Sequence, residues 1–232
     1  MTETFFKAVR PDGTDFRTGT VRWLPPVGES LPDDGLVVTH PTARKKMPGG
    51  AADYLSVATV PTDCTGMEWP CRLARVERTR AAVWTPDADY LPHKRASWQW
   101  RVVEELDPTL ALGPQGAEVA AIIDRAGRLT AHEVVALDAA WHAARAAAWD
   151  AREAAGVAAG AARDAAWSAT WGTAWEAAWV AAWEAAGATR GAAGATRDAA
   201  LATLTRDLID RATYQRLAGP WLSVVGPLTD PE

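Results

Sequence analysis

Cysteine is almost absent: Cys64 and Cys71 are the only two in 232 residues. A secreted disulfide framework needs more. Their spacing, with six residues between them, is wider than the tight pair of a structural zinc site. His40 and His93 complete the weak set of metal candidates (His40, Cys64, Cys71, His93), and the expectation is two reduced cysteines and no cofactor. Lysine is equally scarce. All four (Lys7, Lys45, Lys46, Lys94) lie early, and the formal net charge is -5. Without a basic excess, nonspecific nucleic-acid binding is disfavoured. The best local basic candidates are Arg72, Arg75, Arg78 and Arg80. No apolar stretch follows Met1, so no signal peptide is expected and the expected location is cytoplasmic.

Catalytic motifs are missing too. There is no G-x-S-x-G, no phosphate-binding G-x-x-x-x-G-K-[ST] and no G-x-G-x-x-G. His132 and His142 fall in helical sequence and read as solvated residues. Glu104, Glu105 and Asp107 cluster, as do Asp33 and Asp34, and both groups read as solvated charge. The sequence therefore names no catalytic residue. One nucleic-acid-like signal is local: Lys94 and Arg95 precede Trp98 and Trp100, and bases can stack on such an arrangement.

What is present divides at the prolines. Twelve of the 15 fall between Pro11 and Pro114, and the next is Pro220. Proline interrupts helices and central strands. The expected fold is therefore α+β, with a small, mostly antiparallel β domain over 1–113 followed by a helical hairpin or bundle over 114–232. Strands are expected at Phe5 to Val9, Thr18 to Trp23, Leu36 to Val38, Tyr54 to Val60, Arg72 to Glu77 and Ser97 to Leu106. On the last of these, Trp98, Trp100 and Val102 would share one face.

In the second part, Ala117 to Arg125 reads as a helix with Val119, Ile122 and Ile123 inward. Thr130 and Glu133 form a capping-box signature. Beyond Glu133 the chain is dominated by alanine, which favours helix. Gly156, Gly160, Gly187, Gly191 and Gly194 are the expected breaks. Leu201, Leu204, Leu208 and Ile209 suggest an apolar stripe, and residues 221–225 a short closing segment.

The large side chains are unusual in kind: 13 Trp against 3 Phe and 3 Tyr. Trp167, Trp171, Trp175, Trp179 and Trp183 recur every fourth residue. Each step rotates about 40° beyond a full turn, so the five form a spiral band over roughly 160°. Such a band is either a helical core or a surface for a protein partner or a second copy. Membrane contact is the least favoured reading, because Glu176 and Glu184 interrupt the band and no basic flank is seen.

The stretches 10–20 (RPDGTDFRTGT), 54–57 (YLSV), 63–66 (DCTG), 69–73 (WPCRL) and 100–106 (WRVVEEL) resemble an actinobacterial and actinobacteriophage family. In it a similar N-terminal module precedes an alanine-rich tail with recurring Trp. The resemblance covers most of the chain, implies a phage-related origin and transfers no site residue. The leading expectation is a non-enzymatic interaction or regulatory protein using the Trp band (Trp167, Trp171, Trp175, Trp179, Trp183). One alternative is an enzyme or metal-binding module with its site in the N-terminal domain. Another is a regulator of phage DNA processing or site-specific recombination acting through a protein partner.

Overall fold

The computed structural model describes residues 3–41, 54–64, 66–86, 88–89, 91–150 and 190–227, with 148–150 described by backbone alone. It is an α+β protein. Contacts divide the chain into two compact units, Met1–Ala111 and Leu112–Glu232.

The first unit is an antiparallel sheet of seven strands: β1 (Phe5–Val9), β2 (Leu36–Thr39), β3 (Leu55–Ala58), β4 (Arg72–Arg78), β5 (Val83–Trp84), β6 (Lys94–Ser97) and β7 (Gln99–Leu106). Their order is β2-β7-β4-β1-β3-β6-β5. The expected runs at Phe5, Leu36, Tyr54, Arg72 and Ser97 supply five strands, the last interrupted at Trp98. Period-two alternation gives β1, β4 and β7 a common buried face. Phe5 pairs with Val76, which pairs with Val102, and all three are fully buried. Trp100 is also fully buried, tilts against Phe5 at 5.0 Å and donates its indole N–H to the Leu55 carbonyl at 3.3 Å. Between β4 and β7 the register skips Val103, a bulge.

Residues 18–23 do not form the expected strand. Only a single bridge, Thr14 to Arg22, is made there. The reason is Asp15. Its carboxylate takes the Thr18 amide at 2.7 Å, the Thr18 hydroxyl at 2.7 Å and the Val21 amide at 3.0 Å. A side chain that captures backbone donors competes directly with a ladder. At the start of this loop Gly13 has φ 87°, and a Cβ there would lie 2.4 Å from the Leu24 carbonyl oxygen. Only glycine fits that close approach.

The second unit has four helices among the described residues: α1 (Gly116–Ala126), α2 (Ala131–Asp150), α3 (Arg190–Thr205) and α4 (Arg211–Val224). On α1, Val119, Ile122 and Ile123 are buried as the spacing requires. The capping box forms: Glu133 accepts from the Thr130 amide at 2.8 Å, and the Glu133 amide donates to the Thr130 hydroxyl at 3.3 Å. Gly191 and Gly194 lie inside α3 and do not break it. A Cβ at Gly191 would sit 2.3 Å from Asp138, and one at Gly194 2.5 Å from the Trp141 ring. These glycines let α3 approach α2 closely. Gly156, Gly160 and Gly187 lie outside the described residues.

Of the expected leucine stripe, Leu204 is buried and the rest is not. α3 ends at Thr205, Leu208 is 55% exposed, and the helix buries mainly Ala, Gly and Thr. The hydroxyls of Thr196, Thr203 and Thr205 are satisfied by the carbonyls four residues earlier. Residues 221–224 are not a separate segment. α4 runs through the buried Pro220, because Pro220 and Trp221 pack inward.

Candidate functional site

β1 pairs with β4 over five positions but with β3 only at Phe6 and Ala58. Beyond that point a pocket of about 400 Å³ is walled by β1 on one side and Leu55 and Ser56 of β3 on the other. The loop organised by Asp15 contributes Phe16, Arg17, Thr18, Val21 and Trp23, and His40, Tyr54 and Lys94 complete much of the wall.

Lys7 is the central feature. Strand alternation places it on the same side of β1 as Phe5 and Val9, both fully buried. Its ammonium lies 5.3 Å from the centre of the Trp23 ring, a cation–π arrangement. Burial and the nearby Arg17 pull the Lys7 ammonium below its ordinary pKa, with Cys64 and Asp15 acting in the opposite sense. Lys94 is lowered by the same causes, burial first, then Lys7 and Arg17. Three cations therefore share one pocket, Lys7 and Lys94 half-buried and Arg17 exposed. Like charges that share a site destabilise one another.

Among the described residues, Asp15 is the one carboxylate in the wall. Burial pushes it up, but the Thr18 and Val21 hydrogen bonds and Lys7 prevail, and it titrates below the usual carboxylate range. Its oxygens are occupied by loop donors. Trp23 is 1% exposed, and its indole N–H is a buried donor without a hydrogen-bond partner among the described residues. Tyr54 meets Trp84 edge-on at 5.8 Å, and Trp84 leans on Trp98 at 5.3 Å.

Cys64 and Cys71 are both buried and free. Burial pushes their thiols up to about 11 and about 12, so both are protonated at neutral pH and poor as nucleophiles or ligands. His93 bonds through Nδ1 to the Thr59 hydroxyl at 3.1 Å and lies 4.0 Å from Asp63. His40 lines the pocket. Among the described residues, no three His, Cys, Asp or Glu side chains gather as a metal site.

The charge clusters seen in the sequence face each other across β4 and β7. Arg72 grips Glu105 through two bonds of 2.6 Å, and Arg75 pairs with Glu104 at 2.7 Å. Arg78 lies 3.9 Å from Glu3. Asp107 accepts from the amide and hydroxyl of Thr109. The stacking platform at Trp98 and Trp100 does not form, because Trp100 is core and Trp98 joins the Trp84 cluster.

The chain matches no protein-family model, no curated protein and no solved structure. Geometry alone carries the functional reading.

In the helical unit, Trp167, Trp171, Trp175, Trp179 and Trp183 lie outside the described residues. Trp141 and Trp221 are core. Trp141 donates to Asp198 at 2.9 Å and carries Arg145 over its ring at 4.6 Å. A groove of about 530 Å³ is lined by residues of α2 and α4, including Ala144, Ala147, Leu217 and Pro220. No described helix is long and apolar enough to cross a membrane.

Sequence reasoning missed Lys7, Arg17 and Trp23. For Lys7 a signal existed: a charge at the middle of the apolar face of FFKAV.

Proposed function

We propose that the β unit is a binding module for a small anionic ligand bearing a phosphate or carboxylate group. The observation that carries this is the convergence of Lys7, Arg17 and Lys94 on one pocket. An anion there relieves the mutual repulsion of the cations and gains charge-assisted hydrogen bonds in a partly desolvated site. The Trp23 indole N–H adds a buried donor in the same wall.

Titration calorimetry of the full chain with inorganic phosphate tests this. One binding event per chain is expected. Arg17→Ala and Lys94→Ala should each weaken it by about tenfold or more, the usual effect of removing one charged hydrogen-bond partner. No heat at millimolar phosphate, together with an unchanged thermal midpoint, would reject the reading.

A second reading concerns the helical unit: association with a second copy of the chain. The apolar groove on α2 and α4 favours it. The spiral Trp band of the sequence adds to it, as a pattern. Light scattering should then give a dimer at micromolar concentration. The triple variant Trp171→Ala, Trp175→Ala, Trp179→Ala should be monomeric while keeping its helical circular dichroism. A wild-type monomer at all concentrations counts against it.

A further inference from the structure

The anion pocket holds its three cations in unequal settings. Lys7 projects from the middle of a central strand. Its backbone is fixed by the β4 ladder, where it pairs with Ala74, and its stem is flanked by Phe5 and Val9. Its amine sits over an indole face inside a cavity with room for a small molecule. Arg17 comes from the loop, and Lys94 from the start of β6. A half-buried amine held on a central strand beside other cations has the setting that makes lysine a nucleophile toward carbonyl carbon. The neighbouring cations would hold the carboxylate of the incoming molecule.

We propose that Lys7 captures a small oxo acid as an imine, with Arg17 and Lys94 holding its carboxylate. This rests on the anion-binding reading. The neutral Lys7 amine adds to the carbonyl carbon and forms a C–N bond. The carbonyl oxygen then leaves as water, carrying both amine protons, and a C=N bond remains. No electrons are gained or lost, so no oxidant or reductant is needed. Burial and the neighbouring Arg17 lower the affinity of Lys7 for its proton, which favours release of the proton when the carbonyl arrives. Cys64 does not compete for the carbonyl, because its thiol stays protonated.

The test uses the full chain with glyoxylate and cyanoborohydride, which delivers hydride to the imine carbon and fixes it as a secondary amine. Peptide mass mapping then locates the adduct among Lys7, Lys45, Lys46 and Lys94. Lys7 should be modified at least about ten times faster than Lys45 or Lys46, as expected for a lysine activated by its surroundings. Phosphate should slow that reaction, and Lys7→Arg should abolish the adduct at position 7. Even labelling of the lysines, or first labelling at Lys94, would overturn the role of Lys7. Wild-type phosphate binding, measured in parallel by calorimetry, separates the two ideas. If phosphate binds and Lys7 is not selectively labelled, only the imine is lost. If phosphate does not bind, the anion site itself is rejected.

Discussion

Asp15→Ala is expected to lower the stability of the β unit by about 3 kcal/mol or more, since hydrogen bonds to charged groups contribute about 1.5–3 kcal/mol each. Asp15 is 7% exposed, and its carboxylate accepts three bonds: Thr18 amide, Thr18 hydroxyl and Val21 amide. Alanine leaves two backbone donors without an acceptor in a part-buried loop. Asp15→Asn should fall between wild type and alanine. An amide has one oxygen, while the two carboxylate oxygens face different amide donors: Oδ2 the Thr18 N–H and Oδ1 the Val21 N–H. One of those donors then meets an NH2 group. The same loop carries Arg17 and Trp23 to the pocket, so phosphate affinity should fall together with stability. Thermal denaturation and calorimetry on the same samples check both. A variant that keeps its melting temperature within a degree or so would show that the loop is held by other contacts.

The pH dependence has a definite sign. Asp15 has a folded pKa below its ordinary value. A depressed carboxylate contributes stability above its unfolded pKa, and that stability is lost as pH falls through the folded value. Wild type should therefore lose stability on acidification below about pH 4, the ordinary aspartate range. Asp15→Ala should flatten part of this limb. It leaves the part due to Asp12, Glu133 and Asp210, each held low by bonds from Thr14, Thr130 and Thr213. Asp63 has the opposite sign, because burial raises it above its ordinary value against the pull of His93. Its protonation on acidification partly offsets the loss.

The elements legible in the sequence are those where one force dominates. β1, β4 and β7 follow from alternation around Phe5, Val76 and Val102, and α1 from the spacing of Val119, Ile122 and Ile123. β5 and β6 are hidden. Val83–Trp84 is two residues long, and Lys94–Ser97 carries its burial in its second half, without alternation. Both are fixed by pairing with neighbours, which a local pattern does not encode. The run at residues 18–23 alternates like a strand, yet one carboxylate captures its donors. α3 shows the converse for helices. Its packing face is made mainly of Gly, Ala and Thr, with Leu204 the buried member of the expected stripe, so a search for leucine finds only part of it. The pocket is hidden for a similar reason. Arg17 lies in a loop whose next residues alternate like a strand, and Lys94 stands beside tryptophans that suggest a stacking platform instead. Only Lys7 announces itself, as a charge on an apolar face.

Lys7→Met should separate stability from function. Methionine keeps the length and apolar stem of lysine and removes the ammonium. The wild-type charge is held against burial and against Arg17, and Lys94 is in turn depressed by Lys7. Removing it relieves both, while the contact with Trp23 loses about 0.5–1 kcal/mol of cation–π attraction. A buried charge replaced by an apolar side chain of similar volume is often neutral or stabilising. A melting temperature equal to wild type, or raised by a few degrees, is the expected result, on the usual scale of about 4–8 °C per kcal/mol for a domain of this size. Phosphate affinity should fall by about ten- to a hundredfold, because one of three cations is gone and the remaining contacts are coupled to it. Stabilisation with loss of binding is the pattern of a residue kept for its chemistry at the expense of the fold. The opposite pattern, a destabilised protein that still binds phosphate, would place Lys7 among the structural residues of β1 and move the anion site to Arg17 and Lys94 alone.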